Sequence, residues 1–346
     1  MGPVIEPSGD GAAGARRAGA PQSLVLDGGL ATWLERSGYD TRGPLWSARA
    51  LIDAPERIAE AQRAFVRAGA ECVATATYQA TVEGLIAHGA SPVSAERLLA
   101  ESVDAGRRAL SGVSRPVLVA ASVGPYGAAL ADGSEYRGDY SIDSRGLRRF
   151  HRRRLELLTG SQPDLVALET IPSAVEAQVF AELVHDLAAR GSSVEGAPGA
   201  WMSFSLRDES SLADGTPLEA SWLESVLGCP QLVAVGVNCV APGVVAPALD
   251  RLRGLTTLPL VAYPNSGEVW EHGAWRGREA GLVGEPAAAT VAPTDAWEAD
   301  VERWWDAGAR WLGGCCRIGE TEIAATARQV ERLRLRDGVE GVEGPG

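Results

Sequence analysis

LVAVGVNC (232–239) carries six apolar or small residues without a polar break and then delivers Asn238 and Cys239. A half-buried strand alternates apolar and polar residues, whereas this stretch does not. A short continuous run of this kind reads as a strand buried on both faces, the habit of parallel sheets. RWLGGCC (310–316) repeats the theme and ends in Cys315 and Cys316. Six further short apolar runs read as strands, most of them continuous as well: SLVLD (23–27), CVATAT (72–77), VLVAAS (117–122), LVALET (165–170), WMSFSL (201–206) and LPLVAYPN (258–265).

Helical segments lie between these runs. Asp53 and Pro55 are expected to open ERIAEAQRAFVRAG (56–69), which stops at Gly69. Ser94 is expected to cap SAERLLAESVDAGRRAL (94–110). SAVEAQVFAELVHDLAA (173–189), DAWEADVERWWDAG (295–308) and TEIAATARQVERLRL (321–335) read as helices too. Eight strands alternating with helices predict a single-domain α/β protein, a (β/α)8 TIM barrel over residues 21–335. A doubly wound open sheet is the competing arrangement, but DGGLA (27–31) does not carry its Gly-rich phosphate fingerprint. Residues 1–20 and 336–346, rich in Gly, Ala, Pro and charge, read as disordered tails.

Composition excludes several classes of function. The 346 residues carry a formal charge of -13, and all 32 basic residues are arginine. An acidic chain is a poor partner for nucleic acid or for an anionic membrane surface. No apolar run is long enough to span a bilayer, and no Sec-type signal opens the chain. A cytoplasmic protein is expected, with its five cysteines reduced and available to a metal or to chemistry.

In a barrel, chemistry sits at the C-terminal ends of the strands. Reading those positions gives Asp27, Thr75 to Tyr78, Ser122, Glu169, Ser203, Ser205, Asn238, Cys239, Tyr263 to Asn265, Cys315 and Cys316. An isolated polar end such as Ser122 reads as an ordinary meeting with solvent. Cys72 and Cys229 read as small buried hydrophobes. The four histidines fall outside the strand ends and read as surface or helix residues. Cys239, Cys315 and Cys316 differ, because two strands would aim thiols at one barrel mouth. Gly313 and Gly314 would let the backbone bend so that both following thiols face one ion. Spacing alone leaves zinc (Zn2+) open, since structural zinc sites more often use C-x2-C pairs. Three thiolates would make zinc a weak Lewis acid toward water. They suit a site that holds a fourth thiolate and keeps it nucleophilic.

The chain resembles the homocysteine S-methyltransferases, in their cobalamin-independent, S-methylmethionine-type branch. The resemblance rests on LDGGLATWLERSGYD (26–40), FVRAGAECVATATYQAT (65–81), ASVGPYGAALADGSEYRGDY (121–140), LETIP (168–172), FSLRDESSLADGTPL (204–218), GVNC (236–239), LPLVAYPNSGE (258–268) and GGCCR (313–317). It implies a (β/α)8 barrel and zinc on Cys239, Cys315 and Cys316, with homocysteine sulfur as fourth ligand. It implies that Asp27 and Glu169 hold the homocysteine ammonium, and that Asn238, Asn265 and Tyr78 orient the site or contact substrate. The implied reaction moves a methyl group from a sulfonium donor, S-methylmethionine or S-adenosylmethionine, to homocysteine, forming methionine. Trp46, Tyr126, Tyr136, Tyr140 and Tyr263 are the aromatic residues available to face the sulfonium cation. The competing readings are a selenocysteine or other thiol methyltransferase on the same barrel, and a zinc-binding barrel without turnover. VWEHGAWRGREAGLVGEPAAATVAPTDAW (269–297) matches no motif and reads as an active-site loop or lid.

Overall fold

The structure is a computed structural model that describes residues 20–190, 197–267, 269–271, 274–276 and 294–342. Each of the eight expected runs forms a strand: β1 Leu24–Val25, β2 Cys72–Ala74, β3 Leu118–Val123, β4 Leu165–Ile171, β5 Gly199–Phe204, β6 Leu232–Asn238, β7 Leu260–Tyr263 and β8 Ala309–Leu312. All neighbouring strands pair in parallel, and β1 pairs with β8. A parallel bridge between Leu26 and Cys72 joins β1 to β2 and closes the ring. The fold is therefore the (β/α)8 barrel and not the open sheet.

The absence of alternation in the strand sequences now has its reason. Along β4, Leu165 and Ala167 point into the barrel interior, while Val166 and Leu168 join the shell beneath the helices. The same division separates Val261 and Tyr263 from Leu260 and Ala262 on β7. Both faces are apolar because both are covered. Trp201 and Trp311 fill the interior edge to face, with ring centroids 5.9 Å apart. Cys72 lies in that interior and Cys229 in the outer shell, both buried, as expected for small hydrophobes.

Helix positions agree with the sequence, but two starts do not. Pro55–Arg67 begins with proline, yet its cap is Ala54; Asp53 ends the preceding turn and accepts a hydrogen bond from the Tyr39 hydroxyl at 2.5 Å. The segment expected to begin at Ser94 starts at Pro92, where a missing N–H is harmless. Its cap is Ser91, which accepts from the Ser94 amide at 3.1 Å. That segment is also two helices, Pro92–Ala100 and Ser102–Ala109, which break at Glu101.

The tail expected at 1–20 lies outside the described residues except for Ala20. At the other end, the last helix runs Glu320–Asp337, and the Ser23 hydroxyl donates to the Glu340 carbonyl at 2.9 Å. Of the expected lid, the described residues show an antiparallel pair, Val269–Glu271 with Ala274–Arg276, and a helix from Thr294. The remainder lies outside them.

The tightest seam lies between β6 and β7. A methyl group on Gly236 would sit 1.8 Å from the Val261 carbonyl oxygen. Gly236→Ala is expected to destabilise the barrel by about 1–3 kcal/mol or to prevent folding. In urea unfolding, Gly243→Ala serves as control: nothing lies within 4 Å of that position, and its midpoint should hold or rise.

Candidate active site

Two strand ends deliver the three thiols. Cys239 follows β6, and Cys315 and Cys316 follow β8. Their Sγ atoms all lie within 4.8 Å of one another; Cys239 and Cys316 are 3.6 Å apart, and Cys315 and Cys316 are 3.9 Å apart. Sulfurs around a tetrahedral zinc with bonds of about 2.3 Å are separated by about 3.8 Å. The donor set therefore fits a metal ion by spacing as well as by chemistry.

The backbone there is shaped for this. Cys239 has φ 52°, the left-handed region that a side chain rarely adopts, and its amide is held by the Tyr263 carbonyl at 3.1 Å. Thr170 and Arg317, which flank the site, have φ of 60° and 68°. Such conformations persist only where surrounding structure holds them, and they gather at functional sites. Gly313 and Gly314 have a packing role as well, and neither has positive φ. A methyl on Gly313 would meet the Leu26 Cβ at 2.6 Å and the Asp27 carbonyl at 2.9 Å; on Gly314 it would meet the Ile318 side chain at 2.1 Å. They let the end of β8 run against the end of β1, where the Gly314 amide donates to the Asp27 carbonyl at 3.0 Å.

Hydrogen bonding divides the thiols. Contacts from Cys315 and Cys316 draw Cys239 well below the ordinary thiol range, against the opposing effect of burial. The Tyr136 hydroxyl, 3.2 Å from Cys239 Sγ, acts in the same direction. Cys315 and Cys316 are pushed up, because each interacts with Cys239 and would have to ionise beside its charge.

Asp27 and Glu169 lie at the same mouth. Burial raises Asp27 to about 7, opposed by a hydrogen bond from the Ala74 amide at 2.8 Å and reinforced by the charge of Glu169. Burial also raises Glu169 to about 7, against hydrogen bonds from Ser122 and Tyr263. Ser122 thus corrects the sequence reading: it is buried, not solvent-facing, and its hydroxyl donates to Glu169 Oε1.

Asn238 is wholly buried and acts as a clamp. Its Oδ1 accepts from the Thr170 amide at 2.7 Å and the Ser203 hydroxyl at 2.8 Å, and its Nδ2 donates to Thr170 Oγ1 at 2.8 Å. It ties β6 to β4 and β5 immediately beneath Cys239 and Glu169. Asn265 shapes the turn beyond β7: its Oδ1 accepts from the Gly267 amide at 2.9 Å, and the next amide, Ser266, donates to the Cys316 carbonyl at 3.2 Å. Tyr78 stands edge-on to Trp46 at 6.2 Å, and its hydroxyl is held protonated by burial and then by the charge of Glu135.

The aromatic candidates separate. Tyr126 and Tyr140 pack against one another at 5.3 Å, and the Tyr140 hydroxyl donates to Glu176. Tyr263 is buried, with its hydroxyl accepting from the Trp201 indole at 2.9 Å. Tyr136 stays beside Cys239 and Tyr263 beside Glu169, whereas the contact shown by Trp46 is with Tyr78. Sequence reasoning missed a buried network outside the mouth. His151, fully buried on the helix Ser144–Gly160, meets Glu176 Oε1 at 2.7 Å; Arg154 bonds His151 at 3.0 Å and the Tyr78 carbonyl at 3.4 Å. It braces the segment from Gly124 to Tyr140. Burial holds the histidine down to about 4, so it is neutral. A histidine followed three residues later by arginine on an amphipathic helix was the available signal.

Comparison with known proteins agrees with this geometry. The family model described as homocysteine S-methyltransferase matches residues 24–330. The chain belongs to the homocysteine S-methyltransferase family. It is 42% identical to the homocysteine S-methyltransferase of Escherichia coli (strain K12) over 315 residues, 87% of this chain and 93% of that one. It is 38% identical to a selenocysteine Se-methyltransferase of Brassica oleracea var. italica, over 90% of this chain and 89% of that one. Among solved structures, the metallated form of the homocysteine methyltransferase MmuM from Escherichia coli superposes with a TM-score of 0.73 at 40% identity, covering 89% of this chain and 96% of that one.

The clamp makes a direct prediction. Asn238→Ala leaves the buried Thr170 amide without its acceptor, and unfolding in denaturant should show a loss of about 1–3 kcal/mol.

Proposed function

We propose that this protein transfers a methyl group from a sulfonium donor, S-methylmethionine or S-adenosylmethionine, to the sulfur of L-homocysteine, forming methionine. The observation that carries this reading is the placement of three metal-spaced thiols beside two carboxylates at one barrel mouth. A zinc ion on Cys239, Cys315 and Cys316 would ionise the acceptor thiol, which alone is only a few per cent thiolate at neutral pH.

The chain's own residues supply the rest. Asp27 and Glu169 can pair with one ammonium and so orient the acceptor's amino-acid end. Each is half-buried, so the pairing is screened less than it would be in bulk water. Asn238 fixes the strand end that carries Cys239. The acceptor sulfur gives a lone pair to the methyl carbon as the carbon–sulfonium bond breaks. That bonding pair returns to the donor sulfur, which becomes a neutral thioether. Opposite charges disappear together, so a pocket of low polarity favours the step. No proton moves in it, so no general base is required.

The relative from Brassica oleracea is named for selenocysteine, and it is as similar over the same span as several homocysteine enzymes. A selenocysteine acceptor is therefore the second reading, and competition between the two acceptors separates them. A zinc-binding barrel without turnover does not need the carboxylate pair. Five free cysteines support a reducing, cytoplasmic setting; no described helix is long and apolar enough to cross a membrane.

Cys316→Ala should lose bound zinc and methyl transfer together, by metal analysis and methionine formation; full activity in a metal-free variant would defeat the reading. Acceptor binding should also follow the carboxylates. Both are raised to about 7, and the charged form pairs with ammonium, so the homocysteine KM should rise as pH falls through that value. Asp27→Asn should raise it at least tenfold above pH 8, where the native carboxylate is charged.

A further inference from the structure

Glu135 is a third acidic residue beside the thiols, and neither the metal set nor the acceptor pair uses it. It lies on the short turn Ser134–Tyr136, within ADGSEYRGDY. Its backbone is fixed from two directions. The Ser205 hydroxyl donates to the Glu135 carbonyl at 2.7 Å, and the chain at Gly127 passes so close that a methyl there would lie 2.6 Å from the Glu135 amide nitrogen. The following residue, Tyr136, places its hydroxyl 3.2 Å from Cys239 Sγ.

The carboxyl group takes a hydrogen bond from its own backbone amide, and its second oxygen has no anchor. Glu135 Oε2 is buried and has no hydrogen-bond partner among the described residues; the other buried side-chain atom in that condition is Arg154 Nε. Leaving a carboxylate oxygen dry and unpaired is costly, and proteins rarely keep such a group unless something else completes it. Arg137 is the neighbouring cation, but it is half-exposed and turned to Asp139 at 3.2 Å and the Asp132 carbonyl at 3.1 Å. The charge of Glu135 is felt by Tyr78 and Tyr136, and Glu135 in turn feels Cys239. A half-buried carboxylate with one buried, unpaired oxygen, near enough to two tyrosines to affect both, is a setting for an organic cation.

We propose that Glu135 is the donor-binding carboxylate: it pairs with a positive charge of the methyl donor, with Tyr78 and Tyr136 beside it. The inference rests on the methyl-transfer reading for the donor's identity, though not for the existence of the cation site. The acceptor's ammonium is assigned to Asp27 and Glu169, so the two substrates have separate acidic anchors. The donor carries two candidate charges, its sulfonium and its α-ammonium, and both have the chemistry Glu135 would recognise.

The test uses the full-length, zinc-loaded chain. In Glu135→Gln, calorimetry should show S-methylmethionine binding weakened at least tenfold, and its KM should rise to match. Zinc content and the homocysteine KM should stay within twofold of the parent, whereas Glu135→Asp should recover part of the loss. Trimethylsulfonium, which has no ammonium, assigns the charge. If its competition with S-methylmethionine is weakened in Glu135→Gln, the sulfonium is the partner. If it competes equally with both proteins while S-methylmethionine binding is weakened, the ammonium is the partner. Unchanged S-methylmethionine binding, or parallel losses of zinc and of both substrates, would overturn the proposal. Methyl transfer with unaltered donor binding in Glu135→Gln defeats this inference alone. Absent methyl transfer with donor binding that depends on Glu135 defeats the functional reading alone.

Discussion

The contact of backbone with backbone where β1 meets β8 is the constraint on which the mouth of the barrel depends. Three glycines make it, Gly28 and Gly29 on one side and Gly313 on the other, while Gly314 leaves room for the Ile318 side chain. A methyl on Gly29 would lie 2.6 Å from the Cys315 carbonyl, and one on Gly28 would lie 2.8 Å from the Ile318 carbonyl. Side chains at these positions would push the strand ends apart. Asp27 and the cysteine pair would then move away from each other, and from Glu169 and Cys239 across the ring. The glycines act by the space they leave, which keeps Asp27 and the Cys315–Cys316 thiols on one rigid seam.

The second organising fact is the sign of the charge. Asp27, Glu169, Glu135 and three thiols converge, while Arg154, close by, is buried in a separate network with His151 and the Gly124 carbonyl. Burial alone makes such a collection unfavourable, and it raises all three carboxyl groups to about 7. A metal ion, an ammonium and a sulfonium are each positive. Every proposed occupant therefore offsets part of the repulsion among these acidic groups.

Much of this was legible in the chain. The strands announced themselves because a strand covered on both faces leaves an uninterrupted apolar run, as in LVAVGVNC. Their ends then followed from the barrel, and with them Asp27, Glu169 and the cysteines. What stayed hidden depends on partners distant in sequence. Ser122 could not be told from a solvent-facing serine without Glu169 beside it. Tyr136 and Cys239 are brought together only by the closed ring. His151 looked like any polar helix residue until Glu176 faced it. The caps at Asp53 and Ser94 went astray for a more local reason: adjacent proline, serine and acidic residues each offer a start, and packing selects one.

The hydrogen bonds of the thiol-bearing strand ends have a further consequence. Cys239 is held by the Tyr263 carbonyl, Cys315 by the Pro264 carbonyl at 2.8 Å, and the Cys316 carbonyl by the Ser266 amide. None of these bonds involves a metal. In small zinc domains the ion substitutes for a hydrophobic core, and binding and folding are one event. Here a large core and a closed ring set the ligands in place beforehand. Loading of a metal on these thiols would then be a separate equilibrium from folding, and the ordering entropy of the chelate would be met when the chain folds rather than when an ion arrives.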